Sequence, residues 1–278
     1  MGRRCWCAAA AVLAFLPLAA DGPPKAAPVP PAPAPPADFK LKIALHGVRK
    51  TPIATAQMVV RRGVAYQFVS EIREEVLVID PASARVGLLD LKRKIQTGLS
   101  SKQLDAHLSA LFGKASAEIA RNEAAGTRAG RIDAAMSRDL IEPKFKESAE
   151  DGGRKLRLSN ATVEVTAVGE PEPDGPRLAM IANGLAAGLK LAAYREPDAL
   201  PPFTCLDALR RVIAVHRLRP TEIDYIYRLH GPPKRLRWTY EIVPALTDRE
   251  VEAVARIEGL LKTARDVPFA LYDDEDAP

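Results

Sequence analysis

From residue 41 onward the chain alternates. Leu41, Ile43 and Leu45 are separated by Lys42 and Ala44, the period of two expected of a strand with one buried face. Met58-Val59-Val60 and Val64-Ala65-Tyr66-Gln67-Phe68 flank Arg61-Arg62-Gly63, and glycine supplies the positive φ that a tight turn between strands needs. Val76–Ile79 runs into the turn sequence Asp80-Pro81-Ala82-Ser83, and Arg85–Asp90 adds a further strand. Parallel pairing requires crossover connections, for which this spacing leaves no room, so the pattern predicts an antiparallel meander.

The period then changes. Ser100 and Gln103 form a capping box ahead of Leu104, Leu108, Leu111, Phe112 and Ile119, which predicts an amphipathic helix from 101 to about 124. A second helix is expected over Ile132–Phe145, disturbed by Pro143. Strands return at Lys155–Leu158 and Ala161–Val165, and a loop at Pro171–Pro176 precedes helices carrying Leu178, Ile181, Leu185 and Leu189, then Leu206, Leu209, Val212, Ile213 and Val215. Ile223, Tyr225, Tyr227 and Leu229 alternate with polar neighbours. So do Leu236, Trp238, Tyr240 and Ile242, across a Gly231-Pro232-Pro233 break, giving a hairpin with one apolar face. Thr247 and Glu250 cap a last helix bearing Val251, Val254, Ile257, Leu260 and Leu261. The predicted fold is α+β: one curved antiparallel β-sheet, with helices packed on one face.

The ends read differently. Arg3-Arg4, an apolar run from Cys5 to Ala20 and the small pair Ala19-Ala20 have the form of a secretory signal peptide over residues 1–20, the run being shorter than the about 20 residues of a membrane span. Residues 21–37 are almost entirely proline and alanine, the composition of an extended, disordered linker. The expected folded domain is 38–272, and 273–278 is an acidic tail. Cys5 and Cys7 leave with the leader, so Cys205 is the one remaining thiol and no internal disulfide is expected. Its apolar neighbours Phe203, Leu206 and Leu209 predict a buried, inert cysteine. Export to the periplasm or beyond is the expected localisation, with no integral membrane segment after leader removal.

Charge excludes one class of partner. The 40 basic and 35 acidic residues give +5, and loss of Arg3 and Arg4 lowers this to +3. The basic groups Arg61-Arg62, Lys92-Arg93-Lys94 and Arg210-Arg211 carry no interleaved aromatics, so no nucleic acid is expected as a partner. No Gly-x-Ser-x-Gly, phosphate loop, dinucleotide fingerprint or paired His/Cys metal spacing occurs. His46, His107, His216 and His230 are dispersed, and neither a metal nor another cofactor is expected. Asp80 and Asp90 read as turn formers at strand ends.

The meander Gln57–Tyr66, Val76 to Asp80-Pro81 and Arg85–Asp90, following a leader and spacer, resembles the first half of the periplasmic lipoprotein carrier and receptor family of the LolA and LolB type. The resemblance covers roughly residues 40 to 100. It implies an unclosed half-barrel covered by helices, with a concave apolar surface able to hold acyl chains; no residue of the carriers' release mechanism is carried over. The function expected is that of an exported, non-catalytic envelope protein binding a lipid, an acyl chain or a partner protein. The expected ligand-binding face comprises Val60, Tyr66, Phe68, Leu77, Ile79 and Leu88. Two alternatives stand beside it: an exported hydrolase assembling His46 or His230 with dispersed carboxylates, and an interaction domain presenting the Tyr225–Tyr240 hairpin without a ligand. The pattern does not fix the oligomeric state.

Overall fold

The computed structural model describes residues 36–47, 51–69, 74–196 and 202–272. The expected leader, nearly all of the proline-alanine stretch and the acidic tail lie outside the described residues. The first meander comprises β1 (Phe39–His46), β2 (Pro52–Arg61), β3 (Val64–Val69), β4 (Glu75–Asp80), β5 (Arg85–Asp90) and β6 (Ile95–Ser100). Its turns follow from local chemistry. Arg62 and Gly63 both take positive φ, 51° and 79°, which closes a two-residue hairpin whose twist matches the strands. Asp80 Oδ1 accepts from the Ala82 and Ser83 amides, and Asp90 Oδ1 from those of Lys92 and Arg93. Each of these loops ends on a residue in the left-handed region, Ala84 or Lys94.

Ser100 caps α1 (Ser101–Ala124) with both halves of the capping box in place. Next come α2 (Arg128–Ile141), β7 (Lys146–Glu150), β8 (Lys155–Ser159), β9 (Val163–Pro171), α3 (Gly175–Arg195) and α4 (Pro202–Leu209). A π-helical turn, Arg210–Val215, separates α4 from the β10 (Leu218–Tyr227) and β11 (Lys234–Val243) hairpin. The chain continues through α5 (Asp248–Leu261), β12 (Arg265–Asp266) and α6 (Phe269–Tyr272).

All twelve described strands join one open, curved sheet in the order β12-β6-β5-β4-β3-β2-β1-β11-β10-β9-β8-β7. The first strand therefore sits in the middle, pairing with β2 on one side and β11 on the other. Every pairing is antiparallel except that of β12 with β6, so the sheet is mixed.

Two apolar layers flank the sheet. The larger, on what we call the inner face, joins Phe39, Met58, Val60, Leu77 and Leu88 to α3, α4 and the π turn. Close approach explains Gly184: a Cβ there would lie 2.4 Å from Met58 Sδ. The smaller layer lies on the opposite face, where Val254 and Ile257 of α5 cover Val59, Tyr66, Val76 and Leu89. Helices thus occupy both faces, not one. The cause is visible in Met58-Val59-Val60 and Val76–Ile79: strands buried on both sides read as continuous apolar runs, and α5 supplies the second cover.

Other boundaries move for local reasons. Helix α2 starts earlier than its apolar positions suggest, because the Thr127 side chain accepts from the Gly130 amide, and it stops before Pro143. Helix α4 changes to a π turn, and β10 begins at Leu218, taking in Pro220 where the register slips. Pro220 lacks an amide proton and is accommodated at that irregularity.

Candidate functional site

The six residues expected on one ligand face divide between two faces. Val60, Leu77, Ile79 and Leu88 point inward and are 0 to 3% exposed, packed within the larger core. Tyr66 and Phe68 point outward against α5, and the Tyr66 hydroxyl donates to Glu258 Oε1 at 3.2 Å. The two-residue turn decides this. It sets Arg61 opposite Val64, so Ala65 faces Val60 and Tyr66 faces Val59, and directly opposed residues share a face.

The inner face is less completely covered at β11. Leu236, Trp238, Tyr240 and Ile242 pack against the core but are only half-buried. On the adjacent β10, Ile223, Tyr225 and Tyr227 are sealed, at 0, 3 and 3% exposure. On β1, Phe39, Leu41 and Ile43 are buried, whereas Leu45, paired with Trp238, is half-buried. Beyond it Ala54, opposite Leu45, is exposed. Among the described residues this forms an apolar strip with one indole and one phenol, running toward the end of β1 and the start of β2. Its character suits an apolar chain. The neighbouring charges are paired elsewhere: Arg235, on the far side of β11, forks onto Asp224 with contacts of 2.6 to 3.0 Å, and Lys42 bonds to Glu241.

On the outer face, a cleft of about 430 Å³ lies between the first turn of α5 and the sheet, lined by Gln57, Val59, Phe68, Arg249, Glu250 and Ala253 together with Thr247. Three of its polar residues, Gln57, Thr247 and Glu250, are committed to each other. Glu250 accepts from Lys40, from Gln57 Nε2 at 3.1 Å and from the Thr247 amide at 2.9 Å. Desolvation alone would raise the Glu250 pKa, but Lys40 and the Thr247 contacts prevail and hold it at about 2. We read this network as a stitch fastening α5 to β1 and β2.

The histidines lie on separate elements. His46 Nε2 is 3.3 Å from Thr239 Oγ1, and His107 Nε2 is 3.3 Å from the Ala193 carbonyl oxygen. Two histidines meet carboxylates, His216 with Glu147 at 2.5 Å and His230 with Asp133 at 2.7 Å. Both pairs are on the surface, His230 being 72% exposed in its side chain, and none of the four residues lines the cleft. Among the described residues no three His, Cys, Asp or Glu side chains gather as a metal-binding group. Cys205 is buried, with Sγ 3.4 Å from the Tyr227 hydroxyl. Burial pushes its thiol up to about 11, so it is a poor nucleophile at neutral pH.

A polar cluster lies on the inner face at the start of β4. Glu75, 5% exposed, takes both Nη groups of Arg195 at 2.8 Å. Register places Glu75 in the same cross-strand row as Tyr240: Tyr240 pairs with Ile43, Ile43 with Ala56, Ala56 with Val69 and Val69 with Glu75. Read from sequence alone, the adjacent carboxylates Glu74-Glu75 suggest a turn, whereas Glu75 opens β4. The alternation Glu75, Leu77, Ile79 was the available signal that Glu75 points inward.

No described helix is long and apolar enough to cross a membrane. No family model matches the chain, and no curated protein matches it. A solved structure described as PNGF-II in the P21 space group aligns with 86% of this chain at 10% identity and a TM-score of 0.33, and the chain spans about a third (33%) of that structure's length.

Proposed function

We propose that this chain is an exported, non-catalytic envelope protein, a half-barrel of the lipoprotein carrier and receptor kind, which holds a lipid acyl chain along the inner strip of β11. The observation that carries the reading is the burial contrast across one hairpin. Tyr225 is 3% exposed, while its register partner Leu236 and the other inward residues of β11 remain half-buried. Apolar side chains left partly uncovered within an otherwise sealed face provide area that an apolar ligand would remove from water, at about 25 cal/mol per Å².

The sequence provides its own probe. The chain has two tryptophans, Trp6 and Trp238, so a chain beginning at Asp21 reports only from the strip. Titration with palmitate should shift Trp238 emission to the blue, saturably, and Ile242→Glu should abolish the shift. Unchanged emission throughout, together with native mass spectra lacking any co-purified lipid, overturns the reading.

A further inference from the structure

The outer-face cleft of about 430 Å³ at the first turn of α5 combines an apolar side with a charged one. Val59 is 1% exposed, and Phe68 and Ala253, both half-buried, border it. Gln57 stands directly opposite Phe68 in the β2–β3 pairing. Helix α5 contributes Arg249 and Glu250, and Thr247 precedes them as its cap.

The two charged lining residues are in opposite situations. Glu250 is already answered: Oε1 accepts from Lys40 and Gln57 Nε2, and Oε2 accepts from the Thr247 amide. Lys40, whose side chain is 12% exposed, cancels its charge. These contacts also fix the first turn of α5 against β1 and β2. Arg249 belongs to that same turn, yet among the described residues it makes no hydrogen bond or ion pair. The other acids within a turn of it, Asp248 and Glu252, do not line the cleft. The unanswered charge of the lining is therefore one guanidinium, on a backbone held in place by its neighbours.

This arrangement selects among ligand chemistries. A guanidinium presents a planar fork that matches a carboxylate with two parallel hydrogen bonds. A phosphate dianion has one cation to meet and an ionised Glu250 beside it. An ammonium group finds the cleft's carboxylate already paired. The apolar side takes an uncharged body, and a phenyl ring gains from offset or edge contact with Phe68. The volume lies within the range of small-molecule sites, about 300–1,000 Å³.

We infer that this cleft is a binding site for a small aromatic monocarboxylate, with Arg249 forking its carboxylate and Phe68 and Val59 receiving its ring. The site is on the face opposite the strip of β11 and stands whether or not that strip holds lipid.

The test titrates the full chain with para-fluorophenylacetate and follows the fluorine resonance of the ligand. The unaltered chain should bind saturably. Arg249→Gln should weaken binding at least tenfold, and Arg249→Lys, which keeps the charge but not the fork, should recover part of the loss. The uncharged para-fluorophenylacetamide and the dianionic para-fluorophenyl phosphate should each bind the unaltered chain at least tenfold more weakly. Arg249 is exposed, so the Tm of Arg249→Gln should equal that of the unaltered chain; if it falls, the comparison of acid, amide and phosphate on the unaltered chain decides. Absence of binding by the unaltered chain overturns the inference, as does equal binding by Arg249→Gln, by the amide or by the phosphate. Loss of binding in Ile242→Glu also overturns it, by moving the ligand to the inner strip.

Discussion

Leu88 and Leu236 are the same residue type, on strands of the same sheet, in contact with the same core. Leu88 is 1% exposed, and Leu236 is half-buried. The difference is in what lies above them. Helix α3 crosses the β2–β4 side, with Gly184 against Met58 and Arg195 reaching Glu75. Helix α4 and the π turn cover β10, with Cys205 beside Tyr227. Strand β11 lies between these covers. Alternation of apolar residues therefore marks both the packed interior and the half-open strip, and only the placement of helices separates them.

The comparison is most easily broken by truncation. Leu88→Ala should cost about 2–5 kcal/mol, since it removes packed methyl groups and leaves a cavity. Leu236→Ala should cost less than half as much. Equal losses in urea unfolding would make the strip ordinary core. A smaller effect concerns the helix that provides the seal. Gly184→Ala places a methyl against Met58 Sδ and should destabilise by about 1–3 kcal/mol through overpacking. Gly113→Ala, on an exposed face of α1 with nothing within 4 Å, should instead stabilise by roughly 0.5–1 kcal/mol; opposite signs for these two helix glycines in thermal unfolding check the close approach. The smallest effect is on the outer face. The Glu250 carboxyl lies at about 2 in the folded chain against an ordinary 4.5. The folded state thus releases this proton more readily than the unfolded one, so the contribution to stability is complete above about 4.5 and is lost as pH falls through about 2. Glu250→Gln should flatten the acid limb of Tm against pH in that interval and leave Trp238 emission unchanged.

Much of the fold was legible because local signals agreed. Both capping boxes form, at Ser100 with Gln103 and at Thr247 with Glu250, and the helix expected from 101 to about 124 is α1. The two long strands of the late hairpin were plain from their alternation. Strands β6 and β7 were not. In β6 the inward position between Ile95 and Leu99 is Thr97, and every residue of β7 is exposed, so neither shows a clean period. The candidate site was harder still. Pairing Val60 with Tyr66 required counting parity across Arg62-Gly63, and a turn of two residues instead places Ala65 opposite Val60. Glu75 and Arg195 converge from elements distant in sequence, a convergence that no local pattern encodes.

The central position of β1 has a consequence for how the molecule is made. One edge of that strand meets β2 almost at once, but the other waits for β11, so that His46 and Thr239, in contact in the finished molecule, are 193 positions apart. During synthesis the first six strands emerge with a bare central seam, long before the hairpin that zips onto it exists. Closure of such distant pairings is slow, and an unpaired strand edge invites foreign chains in the meantime. The seam at the middle of the sheet is thus an edge that stays unpaired until nearly the whole chain has been made.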